Sequence, residues 1–298
     1  MTEYIKRCGS FSKFKADSVW TILTPIEESI RKKIEKAGTP LKEWDISINY
    51  GIKTGCNEAF IITKEKRDEL IEKDAKSAQI ICPILRGKDI KRYDYKWAEL
   101  YLLFIPWHFP LQKDTSIQGA SKIAEKNFKE NYPAVYNHLL SYKDKLKKRN
   151  QAETGIRYEW YALQRWGANY LDDFSKQKIV YPCIMANEPS FAFDNKKNFI
   201  IAPANIISGN HLQYLLAFLC SNLCYFALRK YYMGGGIEGE LKTNRLLLLP
   251  VPLPKNNIER KIKALLEEKK YKEINNVIYN SYNLSREEID FIDDKQIK

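Results

Sequence analysis

The chain's 298 residues and 34.9 kDa allow one large domain or two ordinary ones, since domains run to roughly 100–200 residues. Apolar residues make up 44% and aromatics 13%, too many large side chains for a disordered chain, while a mean hydropathy of −0.47 is too polar for a membrane-embedded one. Lysine and arginine total 49 against 37 acidic residues, a net charge of +12, which suits a polyanion and puts nucleic acid first among partners.

The excess belongs to the body of the chain. Lys255 to Lys298 holds ten basic and nine acidic residues, so nearly all of the +12 sits ahead of it. The cysteines, Cys8, Cys56, Cys82, Cys183, Cys220 and Cys224, form no C-x-x-C pair, which argues against structural zinc and for reduced thiols in a cytoplasmic protein. Met1 to Lys15 is polar and basic, with no apolar run for a signal peptide. Leu212 to Leu228, the greasiest stretch, is interrupted by Gln213, Ser221 and Asn222 and falls short of a membrane span.

In chain order, the first strong signal is a helix from Thr24, which can cap, with Pro25 at the first helical position and Glu27 placed to return to the cap. Ile26, Ile30 and Ile34 make one narrow apolar stripe until Gly38 and Pro40, the pattern of an outlying spacer helix. The period then becomes two: Ile46, Ile48, Tyr50 and Ile52 predict a strand, a glycine-containing turn follows, and Ala59 to Ile62 predicts its partner. A short helix is expected over Lys64 to Lys73, a buried strand over Ile80 to Leu85 running into the polar loop Arg86 to Asp89, and a strand over Tyr101 to Ile105. Phe128 to Lys148 reads as helical, with Lys143, Lys145, Lys147, Lys148 and Arg149 crowding its end. Strands are expected at Lys178 to Tyr181, Phe191 to Asp194 and Phe199 to Ala202, then a helix over His211 to Leu228, a mobile Gly234-Gly235-Gly236 loop, a strand over Leu246 to Leu249, a stiff proline exit and terminal helices.

The common catalytic patterns are absent: no G-x-x-x-x-G-K-[ST], no G-x-G-x-x-G after a strand, no H-E-x-x-H, no G-x-S-x-G. His108, His138 and His211 lie far apart, and no Pro-Asp dipeptide offers a nuclease signature. What remains are forked polar side chains in loops with lysines nearby. Arginine reads guanine through paired donors, asparagine and glutamine read adenine, and lysine neutralises phosphate. The candidates are Lys53, Thr54 and Asn57 in the first turn, Arg86, Lys88 and Arg92 in the second, and Arg157, Gln164 and Arg165 in the third, with Lys147 and Lys148 for phosphates. Trp107, Trp160 and Trp166 either brace these loops or stack on an unpaired base.

Gly51-Ile52-Lys53-Thr54-Gly55-Cys56-Asn57-Glu58-Ala59-Phe60 resembles the G-I-x-T-G-x-N-x-A-F signature of the TaqI-like C-terminal specificity domain. That domain is the target recognition domain of type IIG restriction-modification enzymes and related adenine methyltransferases. The resemblance continues in order through Leu85 to Ile90 with Tyr93, Tyr132-Pro133-Ala134 leading to Leu139, Leu146 and Arg149, and Trp160 with Leu163-Gln164-Arg165. It runs on through Lys178 to Pro182, Leu215 to Asn222 with its Ser-Asn pair inverted, Pro250 to Pro254, and Asn276 to Ile292.

The resemblance implies an α+β fold: a mixed, β-rich target recognition domain with packed helices (44–254), flanked by an N-terminal spacer helix region (1–43) and a C-terminal helical tail (255–298), similar to half of a type I specificity subunit. It implies a non-catalytic chain that binds double-stranded DNA and directs a methyltransferase or endonuclease domain or subunit. S-adenosylmethionine, with magnesium where the parent also cleaves, then belongs to the parent enzyme, and this chain holds no cofactor or metal. No Asn-Pro dipeptide occurs here, so the methyltransferase motif of the Asn-Pro-Pro-Tyr type is missing, as expected of a C-terminal piece or a separately encoded subunit. Two rival readings remain at this point: a magnesium-dependent nuclease drawing on Asp89, Asp94, Asp172 and Asp173, and a protein-interaction scaffold with a basic face.

Overall fold

The computed structural model describes residues 23–185, 187–233 and 239–296. Cys8, the polar N-terminal stretch and the glycine run 234–236 lie outside the described residues. The described strands are, in chain order, β1 (Thr39–Pro40), β2 (Ile46–Tyr50), β3 (Ile61–Ile62), β4 (Ile81–Leu85), β5 (Tyr101–Leu103), β6 (Lys178–Tyr181), β7 (Ala192–Asp194), β8 (Phe199–Ile200), β9 (Asn205–Gly209) and β10 (Pro250–Val251). With the helices between them they make a mixed α+β fold. The chain divides into two compact units: the described parts of Met1–Ile46, Ile184–Pro189 and Asn210–Lys298, and Ser47–Cys183 with Ser190–Gly209.

The first unit is mainly helical. Its opening helix, Pro25–Ala37, begins as the capping residues dictate: the Thr24 amide donates to Glu27 Oε2 at 2.8 Å, and Thr24 Oγ1 accepts from the Glu27 amide at 3.4 Å. Ile30 and Ile34 are fully buried. On another face Ser29 and Lys33 both reach the buried Glu288 carboxylate at 2.7 Å, so segments drawn from the expected spacer and tail share this unit. The helix expected over His211 to Leu228 is two, Leu212–Leu219 and Asn222–Ala227. The break falls where Ser221 leaves helical geometry and its hydroxyl caps the Cys224 amide at 3.1 Å. The expected strand over Leu246 to Leu249 is instead a turn of helix, Thr243–Leu246, leading into β10, which pairs antiparallel with β1. Leu246 and Leu249 are buried there while Leu248 is exposed, a spacing of three that suits a helical turn and not the alternation of a strand. Tyr214 and Tyr282 fix the proline exit by donating to the Pro252 and Pro250 carbonyls at 3.0 and 2.9 Å.

The second unit contains two four-stranded sheets, in the orders β2-β9-β6-β7 and β3-β5-β4-β8. In the second sheet β4 runs antiparallel to β5 and parallel to β8. One core joins both sheets to the helices Lys122–Asn131, Pro133–Leu140 and Lys143–Lys148, which contribute Phe128, Val135, Leu139 and Leu146 to it. The single helix expected over Phe128 to Lys148 is interrupted at Tyr132 (φ −136°, ψ 57°), because Pro133 bars helical geometry in the residue before it. The expected strand over Ala59 to Ile62 begins instead with one helical turn, Asn57–Phe60, and only Ile61–Ile62 is extended.

β6 and β7 carry a fully buried ion pair in register: Lys178 faces Asp194, with Nζ 2.7 Å from Oδ2 and both side chains at 0% exposure. A buried pair persists only if its remaining hydrogen-bonding capacity is satisfied. Here Lys178 also donates to the Phe174 carbonyl at 2.7 Å, and Asp194 accepts from Tyr95, Asn198 and the Lys196 and Asn198 amides. Burial pulls the Lys178 ammonium below its ordinary value, against the attraction of Asp194. Lys178→Met leaves the carboxylate buried and uncompensated and is expected to cost about 3–5 kcal/mol in urea unfolding. Asp194→Asn added to it should recover part of that loss, and strictly additive costs would show the pair to be uncoupled.

Candidate nucleic-acid interface

β2 leads directly into the first candidate loop. Gly51 is buried against the strand end after β8, where a Cβ would lie 2.6 Å from the Ile200 carbonyl oxygen. Only glycine permits that approach. Ile52 then bridges Ile201 in parallel, and Lys53 bridges Arg165 antiparallel, exchanging two backbone hydrogen bonds of 2.9 Å. The first and third candidate loops, far apart in sequence, are therefore one piece of structure. Thr54 is buried and shapes the turn: its hydroxyl donates to Asn57 Oδ1 at 2.6 Å and accepts from the Cys56 amide at 3.1 Å. Gly55 takes a left-handed φ of +73°, and a Cβ there would meet the Gln164 side-chain oxygen at 2.8 Å. Lys53 and Asn57 are exposed and Gln164 is half-buried.

Arg149 holds this assembly from within. It sits with the lysines that end helix Lys143–Lys148 in sequence but turns inward, and its residue is buried. Nη1 donates to the Thr54 carbonyl, Nη2 to the Trp160 carbonyl at 2.8 Å and to the Ala162 carbonyl, and Nε to the Leu146 carbonyl at 3.2 Å. The guanidinium also lies 5.2 Å from the Phe60 ring centroid. Burial lowers its pKa to about 10.

Arg157 and Arg165 converge on a residue the sequence reading did not single out. Glu153 accepts from Arg165 Nη2 at 3.0 Å and from Arg157 Nη1 at 2.8 Å, and its other oxygen lies 2.8 Å from Arg165 Nη1, which itself donates to the Gln164 carbonyl. The hydrogen bond from Arg165 leads in holding the Glu153 carboxyl below its ordinary value. Both guanidiniums stand over Trp107, 5.5 and 5.7 Å from its ring centroid. Trp107 is itself stacked on buried Tyr158 and anchored by Nε1 to the Leu163 carbonyl at 2.8 Å. The i, i+4 spacing of Glu153 and Arg157 was the available signal for this cluster; the contact to Arg165 had none. Trp160 is a brace, buried with its Nε1 on Glu125 at 2.8 Å.

The second candidate loop is built separately, after β4. Arg86 forks onto Asp89, with Nε–Oδ2 3.0 Å and Nη2–Oδ1 2.7 Å, and its amide donates to the same carboxylate at 2.9 Å. Lys88 is exposed, and Arg92 lies against the Tyr93 ring. Lys147 and Lys148 are exposed at the helix end, with no ion-pair partner among the described residues. The acidic residues of the nuclease reading are not gathered: Asp89 serves Arg86, and Asp173 serves Lys176 and Asn49. No group of three or more potential metal ligands occurs among the described residues. His108 and His211 each face a glutamate, Glu159 and Glu259, and His138 the Ala59 carbonyl. Among the described residues no single helix is long and apolar enough to cross a membrane.

The family model of the TaqI-like C-terminal specificity domain matches residues 82–251, more than half of the chain. This chain belongs to that family. It is 23% identical over 245 residues to the type II methyltransferase M.MjaIV of Methanocaldococcus jannaschii, covering 79% of this chain and 72% of that protein. Its fold is similar to part of the type IIL restriction-modification enzyme MmeI, solved in complex with DNA, with a TM-score of 0.56 and 14% identity over 87% of this chain and 36% of that one. A further match, the type IIG restriction endonuclease BpuSI, has a TM-score of 0.48 and 15% identity, over 86% of this chain and 32% of that one. The specificity domain thus spans about a third of the length of these solved enzymes.

Because the guanidinium fork of Arg149 serves carbonyls from several segments, Arg149→Lys should fail to replace it. An ammonium lacks the planar fork that reaches them together. Both Arg149→Lys and Arg149→Ala are expected to cost about 3 kcal/mol or more by denaturant unfolding, through buried carbonyls left unpaired. A lysine variant as stable as the native chain would show that charge alone suffices.

Proposed function

We propose that this specificity domain reads a short sequence in double-stranded DNA and directs an adenine methyltransferase, with or without endonuclease activity, to it. The observation that carries the reading is the surface where the Lys53 backbone is bridged to Arg165, beside Gln164, and where Arg165 and Arg157 converge on Glu153. It sets forked donors for base edges beside lysines for phosphates. Arg86, Lys88, Arg92, Thr54 and Asn57 complete the candidate set, with Lys88 and Asn57 exposed and Thr54 and Arg86 shaping their turns. Lys147 and Lys148 position the duplex through phosphates. Methyl transfer from S-adenosylmethionine belongs to the catalytic domain or subunit, as does any magnesium-dependent cleavage. A cytoplasmic location follows from that partnership.

Selection of bound duplexes from a random pool, followed by affinity measurements over a salt series, tests the reading. One enriched word and affinity falling steeply with salt are expected; equal binding of all duplexes overturns sequence recognition. Arg165→Ala should relax preference at one position at a cost of about 1–3 kcal/mol. Lys147→Ala and Lys148→Ala should weaken all duplexes alike, each making the salt slope shallower by about one.

The Glu153 carboxylate occupies the donors a phosphate or base would take. Glu153→Gln should therefore strengthen binding to every duplex, steepen the salt dependence and reduce discrimination between the selected word and a scrambled one. Weaker binding to all duplexes would show instead that the carboxylate's hold on the two arginines outweighs its competition for their donors.

A further inference from the structure

Beside the Lys53–Arg165 bridge the second unit opens into a pocket of about 500 Å³, within the roughly 300–1,000 Å³ typical of small-ligand sites. Its walls include Tyr50, Trp107, Trp166 and Tyr170, with Lys53, Arg165 and the exposed amide of Asn169 also lining it. Tyr50 is 59% exposed and has no ring partner among the described residues, an unusual position for a large aromatic at the end of a strand. Trp166 and Tyr170 are half-buried, held by edge contact with Phe104 and by Phe174. Gly167, left-handed at φ +74°, turns the chain between them. Phe174 and Phe199, stacked at 4.9 Å, lie beyond as ordinary core.

We propose that this pocket receives a single nucleobase that has left the DNA stack, with Lys53 and Arg165 drawing in the phosphates on either side of it. The inference rests on the DNA-recognition reading and adds a subsite to it. Rings lining a concavity can present their faces to a base only once that base is extrahelical, because the neighbours of a stacked base already cover both its faces. Exposed Lys53, Arg165 where a phosphate replaces Glu153 on it, and one neutral amide suit an anionic backbone carrying an uncharged ring. They disfavour a cationic occupant, which the same aromatics would otherwise attract. The predominance of aromatic surface points to capture by stacking, which tolerates any base, with the Asn169 amide in the same lining able to donate to and accept from a base edge.

The test uses the full chain and two short duplexes of one sequence, one fully paired and one with a single extrahelical 2-aminopurine. The bulged duplex is expected to bind about tenfold more tightly, with its fluorescence quenched on binding, as one base–aromatic stack would give. Tyr50→Ala and Trp166→Ala should each bring that preference down to about threefold or less while the paired duplex binds as before. Should Trp166→Ala fail to fold because of its contact with Phe104, exposed Tyr50 decides alone. Equal affinity for the two duplexes, or a preference untouched in Tyr50→Ala, overturns the pocket's role and leaves the DNA-recognition reading standing. Failure to bind either duplex overturns both.

Discussion

A guanidinium buried without a carboxylate beside it is costly, and in this chain Arg149 meets that cost with backbone carbonyls alone. Hydrogen bonds from a charged donor are stronger than neutral ones, and these converge from the turn after β2, the segment Trp160 to Ala162 and the helix end at Leu146. None of the three segments has a sheet ladder of its own at that point. Their relative placement is set by this planar fork together with the two backbone hydrogen bonds of the Lys53–Arg165 bridge, and everything proposed for the surface depends on that placement. Lys53, Gln164 and Arg165 project from the very segments Arg149 gathers.

The arginines illustrate how little charge counts say about availability. Arg149 is spent on carbonyls, Arg86 on Asp89, and Arg157 and Arg165 on Glu153. A formal excess of +12 suggests many free cations, yet these four guanidiniums are engaged, and the exposed candidate lysines Lys53, Lys88, Lys147 and Lys148 carry the open charge. That division suits the two tasks of a DNA-reading surface. Lysines act as mobile point charges toward phosphate, while arginines need a fixed geometry to present two donors at once.

Legibility in the sequence followed the range of the interaction. The Thr24 capping box, the strand β2, the helix over Lys64–Lys73 and the strand β4 all rest on neighbours within a few residues, and all are present, although in β2 the apolar alternation ends at exposed Tyr50. The misread elements are those where a local signal was outvoted. Ser221 reads as a helical interruption too weak to matter, yet it ends one helix and caps the next. The apolar run at Leu246 reads as a strand by composition and folds as a helical turn. For the surface, sequence supplied the residue types and their loops, but not the Lys53–Arg165 bridge or the inward turn of Arg149 onto Thr54, since contacts across 95 residues or more leave no spacing to read. Nor did it show that Tyr50, Trp166 and Tyr170 share a pocket.

Glu153 connects the stability of the unbound surface to its proposed task. Two arginines over one indole repel each other, a repulsion that solvent screens at these exposed side chains without abolishing it. The carboxylate between them keeps both guanidiniums in a single arrangement while no ligand is present. In the proposed role an arriving phosphate or base edge would exchange for an anion already in position, so that little side-chain entropy would remain to be lost on binding. The exchange favours ligands that satisfy the donors at least as well as Glu153 does. A surface built this way resists loose, nonspecific anions and yields to a ligand whose acceptors match the fork, the discrimination a recognition domain requires.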